Sequence, residues 1–186
     1  INRLTRKNHQ GVFAFISPID FHNIEDVIPI LFEGGKIPLV LVLDRITDVR
    51  NFGAIARTAE CAGVNAILIP EQNSAAINAD AIKTSAGALY KITVCRTWNL
   101  KLSLQFMKDS GIQLIACTEK TQENMYKPDY TPPTAIIMGS EEDGVSPEFL
   151  KMCDVKAKIP MIGKIASLNV SVATGVILYE AIRQRG

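Results

Sequence analysis

With 186 residues, the chain is long enough for one well-buried domain of roughly 150 residues plus a short appendage, and too short for two large domains. Hydrophobic residues at 47%, charged residues at 21% and a mean hydropathy of +0.14 exclude disordered, collagen-like and coiled-coil classes. Lys plus Arg number 20 against 19 Asp plus Glu, so a formal charge of +1 creates no global field for nucleic acid, and any basic surface must be local.

The chain opens at Ile1 rather than Met, and an upstream segment is expected to be missing. Ile1 to Gln10 carries Arg3, Arg6 and Lys7 without an acid, which suits a solvated linker or an RNA-facing arm. Val12 to Ile16 reads as a strand, and Asn23 to Phe32 as a helix closed by Gly34-Gly35. Leu39 to Leu43 is a continuous apolar run ending in Asp44, the pattern of a central strand buried on both faces. Phe52 to Ala62 follows as a helix stopped by Gly63. The alternation continues with strands at Ala66–Ile69, Ile92–Cys95 and Ile112–Cys117, and with helices at Ala79–Leu89 and Leu100–Asp109. Beyond Pro128, Pro132 and Pro133 come a strand at Ala135–Met138, a short helix at Pro147–Met152, a strand at Val155–Ile159 and a final helix from Ser167 to Arg183. Strands joined by helices at this spacing imply an α/β fold with a parallel sheet. Ligands in such sheets lie outside the carboxyl ends of the strands, so the loops after Leu43, Cys117, Met138 and Ile159 are the candidates.

No run approaches the roughly eighteen uncharged apolar residues of a membrane span, and the first segment lacks the apolar core of a signal peptide, so a cytoplasmic location is expected. Cys61, Cys95, Cys117 and Cys153 are scattered, with only His9 and His22 as co-ligands, so neither a zinc site nor a disulfide framework is expected.

Three of the loops carry chemistry. After the first strand, Asn51 stands where it either caps the helix or serves a site, and Arg57 lies between small residues where packing needs no long cation. The second loop, Met138-Gly139-Ser140-Glu141-Glu142-Asp143-Gly144, brackets a carboxylate with glycines. That permits close backbone approach to a ligand but also suits an ordinary strand-to-helix turn with Ser146 as cap and Pro147 at the first helical position. It has neither dinucleotide-fingerprint nor phosphate-loop spacing. The third loop runs from Ile159 through Gly163 to Ser167, Asn169 and Ser171, a density of Ser and Asn that marks either a capping cluster or a polar site at the helix start.

Taken together, the order N-x-x-x-x-x-R-T, then M-G-x-E-x-x-G, then I-P-M-x-G-x-x-x-S-L-N-V-S-V-A closely resembles the SpoU (TrmH-type) RNA 2′-O-ribose methyltransferases of the SPOUT superfamily, over about Leu39 to Arg185. Thr84-Ser85-Ala86-Gly87-Ala88 looks like a further segment of that family, and His9-Gln10-Gly11-Val12 resembles the junction to an N-terminal RNA-binding domain in bacterial enzymes that methylate a guanosine of 23S rRNA.

The resemblance implies a parallel sheet flanked by helices with a C-terminal deep trefoil knot, formed by Gly139–Gly144 and Ile159–Asn169. Residues 1–36 would be a linker and the tail of a missing RNA-binding domain, and residues 37–186 the catalytic domain. It implies S-adenosylmethionine as cofactor, held at Gly139, Ile159 and Leu168 with Met161, Thr118 and Gly144 nearby, and no metal. It further implies Arg57, Asn51, Glu141, Ser167 and Asn169 as active-site residues, and a homodimer acting on RNA. The family role of Arg57 is activation of the 2′-hydroxyl. A guanidinium with a pKa above about 12 does not readily give up its proton, so Arg57 is expected to hold an RNA phosphate and stabilise the developing alkoxide. Glu141 and Asn169 are expected to orient Arg57 and the loops, although Glu141 also reads as a structural carboxylate. Val172, Val176, Ile177 and Tyr179 fit either an interface or a monomer core, and Lys151, Lys156, Lys158 and Lys164 either a solvated or a phosphate-contacting face. The alternatives are a tRNA ribose methyltransferase and a non-catalytic RNA-binding protein of ribosome assembly; an oxidoreductase lacks its phosphate-loop glycines.

Overall fold

The computed structural model describes residues 17–186; the expected strand at Val12–Ile16, the basic opening segment and the His9–Val12 junction lie outside them. Six strands, β1 (Leu39–Leu43), β2 (Ala66–Pro70), β3 (Thr93–Thr97), β4 (Gln113–Cys117), β5 (Thr134–Met138) and β6 (Val155–Ala157), form one sheet in the order β3-β2-β1-β5-β4-β6. Every pairing in it is parallel.

Alternate residues of each strand point to opposite faces, and β1 shows both faces covered. Leu39, Leu41 and Leu43 enter one core with Phe52, Ile55 and Ala59 of α2 (Val49–Cys61) and Ile177, Leu178 and Ala181 of α6 (Val170–Arg185). Val40 and Val42 enter the other with Ile24 and Ile28 of α1 (Ile24–Glu33), Leu104 and Met107 of α4 (Leu100–Asp109) and Phe149 of α5 (Pro147–Met152). Each fully buried Val or Leu contributes roughly 1.5–3 kcal/mol, which is why a strand with no polar residue is stable only here.

The chain builds β1, β2 and β3 outward in one direction, then crosses to place β4 beyond β5 on the other side. The order therefore reverses between β1 and β5, and the crevice at the carboxyl ends of these two strands is where such sheets bind ligands.

Most expected elements stand within two or three residues of their places, and three departures bear on the site. The helix expected over Ala79–Leu89 is α3 (Ala79–Thr84) followed by a separate 3-10 turn at Ala88–Tyr90, because Ala86 and Gly87 turn left-handed at φ 50° and 84°. This break seats the Thr84–Ala88 segment on α2, where a Cβ at Gly53 would meet Thr84 Cβ and the Ala81 carbonyl oxygen at 2.8 Å. The last strand stops at Ala157 rather than Ile159, and the last helix begins at Val170, leaving Ser167 in the loop before it. Ile177 is fully buried in the core, whereas Val172 and Tyr179 are exposed.

Candidate active site

Asp44, at the end of β1, is buried, and its carboxylate accepts from the Ser146 backbone N–H at 2.7 Å and from Arg45 Nε at 3.1 Å. Arg45 turns left-handed at φ 59°, and its guanidinium reaches over to Asp143 Oδ2 at 3.0 Å and the Gly144 carbonyl at 2.9 Å. Its pKa is raised by the hydrogen bond to Asp44 first, against the opposing cost of burial. Three residues on, Asp48 caps α2 by accepting from the Asn51 backbone N–H at 2.7 Å. Asn51 is therefore the third residue of the helix and not its cap. Its side-chain amide is left for other contacts.

The loop after β5 folds back on itself. Gly139 has no room for a Cβ, which would stand 2.0 Å from the backbone of Gly144 and Val145, and Gly144 itself is left-handed at φ 70°. The Gly144 N–H donates to the Ser140 carbonyl at 3.0 Å, and Lys120 Nζ donates to the Asp143 carbonyl at 2.8 Å. This tight turn presents Glu141 outward.

Asn169 is the cap of α6, its Oδ1 accepting from the Ser171 N–H at 3.0 Å and from Ser171 Oγ at 2.6 Å. Its Nδ2 donates to Glu141 Oε1 at 2.7 Å and to Asn51 Oδ1 at 3.0 Å, while Asn51 Nδ2 donates to the same Glu141 oxygen at 3.1 Å. An ionised carboxylate only accepts, so Glu141 fixes which way both amides face. One residue from each of the three loops thus meets in a closed triangle.

Two hollows flank this triangle. One, of about 310 Å³, is walled by Cys117, Thr118 and Glu119 after β4, by Met138 to Glu142 and Gly144, by Lys158, Ile159 and Met161, and by Ala166 to Leu168, Val170 and Ala173. All six residues expected to hold a cofactor, Gly139, Ile159, Leu168, Met161, Thr118 and Gly144, line it, as do Glu141 and Ser167. The other, of about 320 Å³, lies over the β1 loop between Arg45, Asp48, Asn51 and Asn73 and shares Ser140, Glu141, Glu142 and Val170 with the first. Arg57 borders neither hollow; it is exposed on α2, without a hydrogen-bond or ion-pair partner among the described residues.

Sequence reasoning passed over Asp44, Arg45 and Asp48, which organise the first loop, and Glu119, which faces the first hollow. The available signal was an acid directly after a buried strand and another three residues before Asn51, the spacing of a helix cap. Lys158 alone of the four lysines lines the cavity. Cys117 also borders it, but burial and then Glu119 push its thiol up to about 12, so it stays protonated. No cluster of three metal-ligating side chains occurs among the described residues.

Comparisons with known proteins place the chain in a family. Residues 38–179 match the model of the SpoU rRNA Methylase family. The chain is 39% identical to the 23S rRNA (guanosine-2′-O-)-methyltransferase RlmB of Photobacterium profundum, over 96% of this chain and 72% of that protein. Among solved structures it is similar to the TrmH/SpoU tRNA modifying enzyme of A. aeolicus, with TM-score 0.73 and 37% identity over 81% of this chain and 76% of that one. It is also similar to an AdoMet-bound rRNA methyltransferase from Sinorhizobium meliloti, with TM-score 0.80 and 27% identity over 88% of this chain; it spans only 61% of that protein's length.

Proposed function

The chain belongs to the SpoU rRNA methylase family, and from that premise we propose that it methylates a ribose 2′-hydroxyl in RNA, with a guanosine of 23S rRNA as the target and S-adenosylmethionine as the donor. The observation that carries this reading is the shared wall. Glu141 borders both hollows while holding Asn51 and Asn169, so a cofactor cavity and a polar substrate-side hollow meet at one carboxylate.

The first hollow suits the donor. Its volume is within the usual range for small-molecule sites. Apolar Met138, Ile159, Leu168 and Ala173 with nearby backbone groups suit adenine, the acids Glu119, Glu141 and Glu142 suit cationic groups, and Lys158 suits a carboxylate. Bound there, S-adenosylmethionine would supply an electrophilic methyl on sulfur for in-line attack by a ribose 2′-oxygen, with S-adenosylhomocysteine as the leaving group. The chain's residues contribute by positioning, which is worth up to about 7–11 kcal/mol when reacting groups are held at near-attack distance. Glu141 holds the two amides of Asn51 and Asn169 so that their free edges are fixed toward substrate. Arg57 holds an RNA phosphate and stabilises the developing alkoxide while the proton leaves to solvent or to a phosphate oxygen, since a guanidinium is a poor base.

The active form is a homodimer. Exposed apolar side chains at Ile162, Ile165, Val172 and Tyr179 support it, as does the position of Arg57 outside its own chain's hollow, which fits work beside the cofactor of a second copy. The C-terminal segment is read as a trefoil knot. That reading rests on the likeness of Gly139–Gly144 and Ile159–Asn169 to the motifs that form the knot in this family.

The test is calorimetric titration with S-adenosylmethionine, followed by methyl transfer to 23S rRNA and to tRNA. Saturable cofactor binding with transfer to a single rRNA guanosine is expected. Transfer to tRNA alone would move the target to the activity named for the A. aeolicus relative, and absence of cofactor binding by the folded protein would overturn the reading.

A further inference from the structure

We propose that Arg45 is a positioning residue for this methyl transfer, acting through the Gly139–Gly144 loop on the shape of the cofactor cavity. The proposal rests on the methyltransferase reading. Arg45 touches the cavity at second hand, because Gly144, which accepts from its guanidinium, is part of the cavity wall.

The backbone of Arg45 stands at φ 59°, a region that residues with a Cβ seldom occupy and that Gly or Asn fills at less cost. Strain of this kind persists where surrounding contacts over-determine it, and here those contacts are visible. Nε and one terminal nitrogen grip the two Asp44 oxygens at 3.1 and 3.4 Å, and the terminal nitrogens reach Asp143 Oδ2 at 3.0 Å and the Gly144 carbonyl at 2.9 Å. Asp44 completes the grip by accepting from the Ser146 N–H at 2.7 Å. The pair at the end of β1 thus holds the loop after β5 at three points, Asp143, Gly144 and Ser146. From this left-handed position, Arg45 sends its side chain from the end of β1 across the switch point to the loop after β5. The planar fork is what spans three acceptors at once; an ammonium is a point charge without that geometry.

Arg45→Gly removes the fork and relieves the left-handed backbone but leaves the buried Asp44 carboxylate without its cation, so its thermal midpoint should fall, and binding is compared at a temperature where both proteins are fully folded. Its dissociation constant for S-adenosylmethionine should rise about tenfold, and KM for the cofactor with it. Arg45→Lys should recover only part of the lost affinity, because an ammonium cannot span the three acceptors. Combining Arg45→Gly with Asp143→Ala should weaken binding no further than the worse single change, because both act through one contact. Unchanged cofactor binding in folded Arg45→Gly, or an equal loss in an unrelated variant whose midpoint is lowered as much, would overturn the proposal. Wild-type protein that binds no cofactor would instead overturn the methyltransferase reading beneath it.

Discussion

Gly139 and Gly144 lie in backbone contact: a Cβ on the first would stand 2.0 Å from the carbonyl carbon of the second. Both neighbours are main chain and cannot rotate away. Gly139→Ala should therefore displace the turn that walls the cavity, abolishing detectable binding of S-adenosylmethionine and costing about 1–3 kcal/mol of stability. Calorimetry and a urea melt measure the two effects, and an alanine variant that binds the cofactor normally would contradict the packing.

Arg57 offers a cleaner separation of binding from chemistry. Because its side chain is exposed and outside the cavity of its own chain, Arg57→Lys should leave folding intact and lower turnover about tenfold or more through loss of the fork. Arg57→Ala should in addition reduce the salt dependence of RNA binding by about one phosphate contact. Near-wild-type turnover of the lysine variant would mean that a point charge suffices.

Arg185 closes the C-terminal helix onto the start of the sheet. Its guanidinium donates to the backbone carbonyls of Tyr130 at 2.8 Å, Ile37 at 2.9 Å, Pro38 at 3.2 Å and Pro132 at 2.7 Å. A hydrogen bond from a charged group contributes about 1.5–3 kcal/mol net, and these are partly exposed and share one guanidinium, so Arg185→Ala should cost about 2 kcal/mol overall. The denaturation midpoint reads this directly, and a change under about 0.5 kcal/mol, typical of an ordinary surface site, would show that water replaces the clasp.

Glu180 gives the protein an acid-sensitive contact. Arg183 hydrogen-bonds both carboxylate oxygens at 2.8 Å and holds the group down to about 2 from the ordinary 4.5, burial opposes this, and Gln184 adds a hydrogen bond at 2.7 Å. The folded state thus binds the proton less readily than the unfolded one. The associated stability is full above about pH 4.5 and is lost as pH falls toward about 2. Glu180→Gln should show a smaller fall in denaturation midpoint across that window than wild type, and equal falls would mean that the carboxylate contributes nothing there.

Much of the fold was legible in the residues. The run Leu39–Leu43 could only be a strand covered on both faces, and the alternation of such runs with helical spacing implied the parallel sheet that is seen. Local signals failed where a tertiary contact overrode them. Asn51 has the composition of a helix cap, but Asp48 takes that place and frees the amide for Glu141. Ala79–Leu89 has helical spacing throughout, but two left-handed residues break it to fit against Gly53.

The sequence by itself determined the class of fold, the three loops and the residue types in them, because strand and helix periodicities are local and the motifs are contiguous. Tertiary structure alone decided that Asn51, Glu141 and Asn169, separated by up to 118 residues, share hydrogen bonds. It also decided that Arg45 spans two strands while Arg57 stands apart from the cavity. The physical reason is the strand order. Placing β5 beside β1 brings together loops that are distant in the chain, and which atoms then meet depends on backbone turns and side-chain reach that no spacing along the sequence encodes.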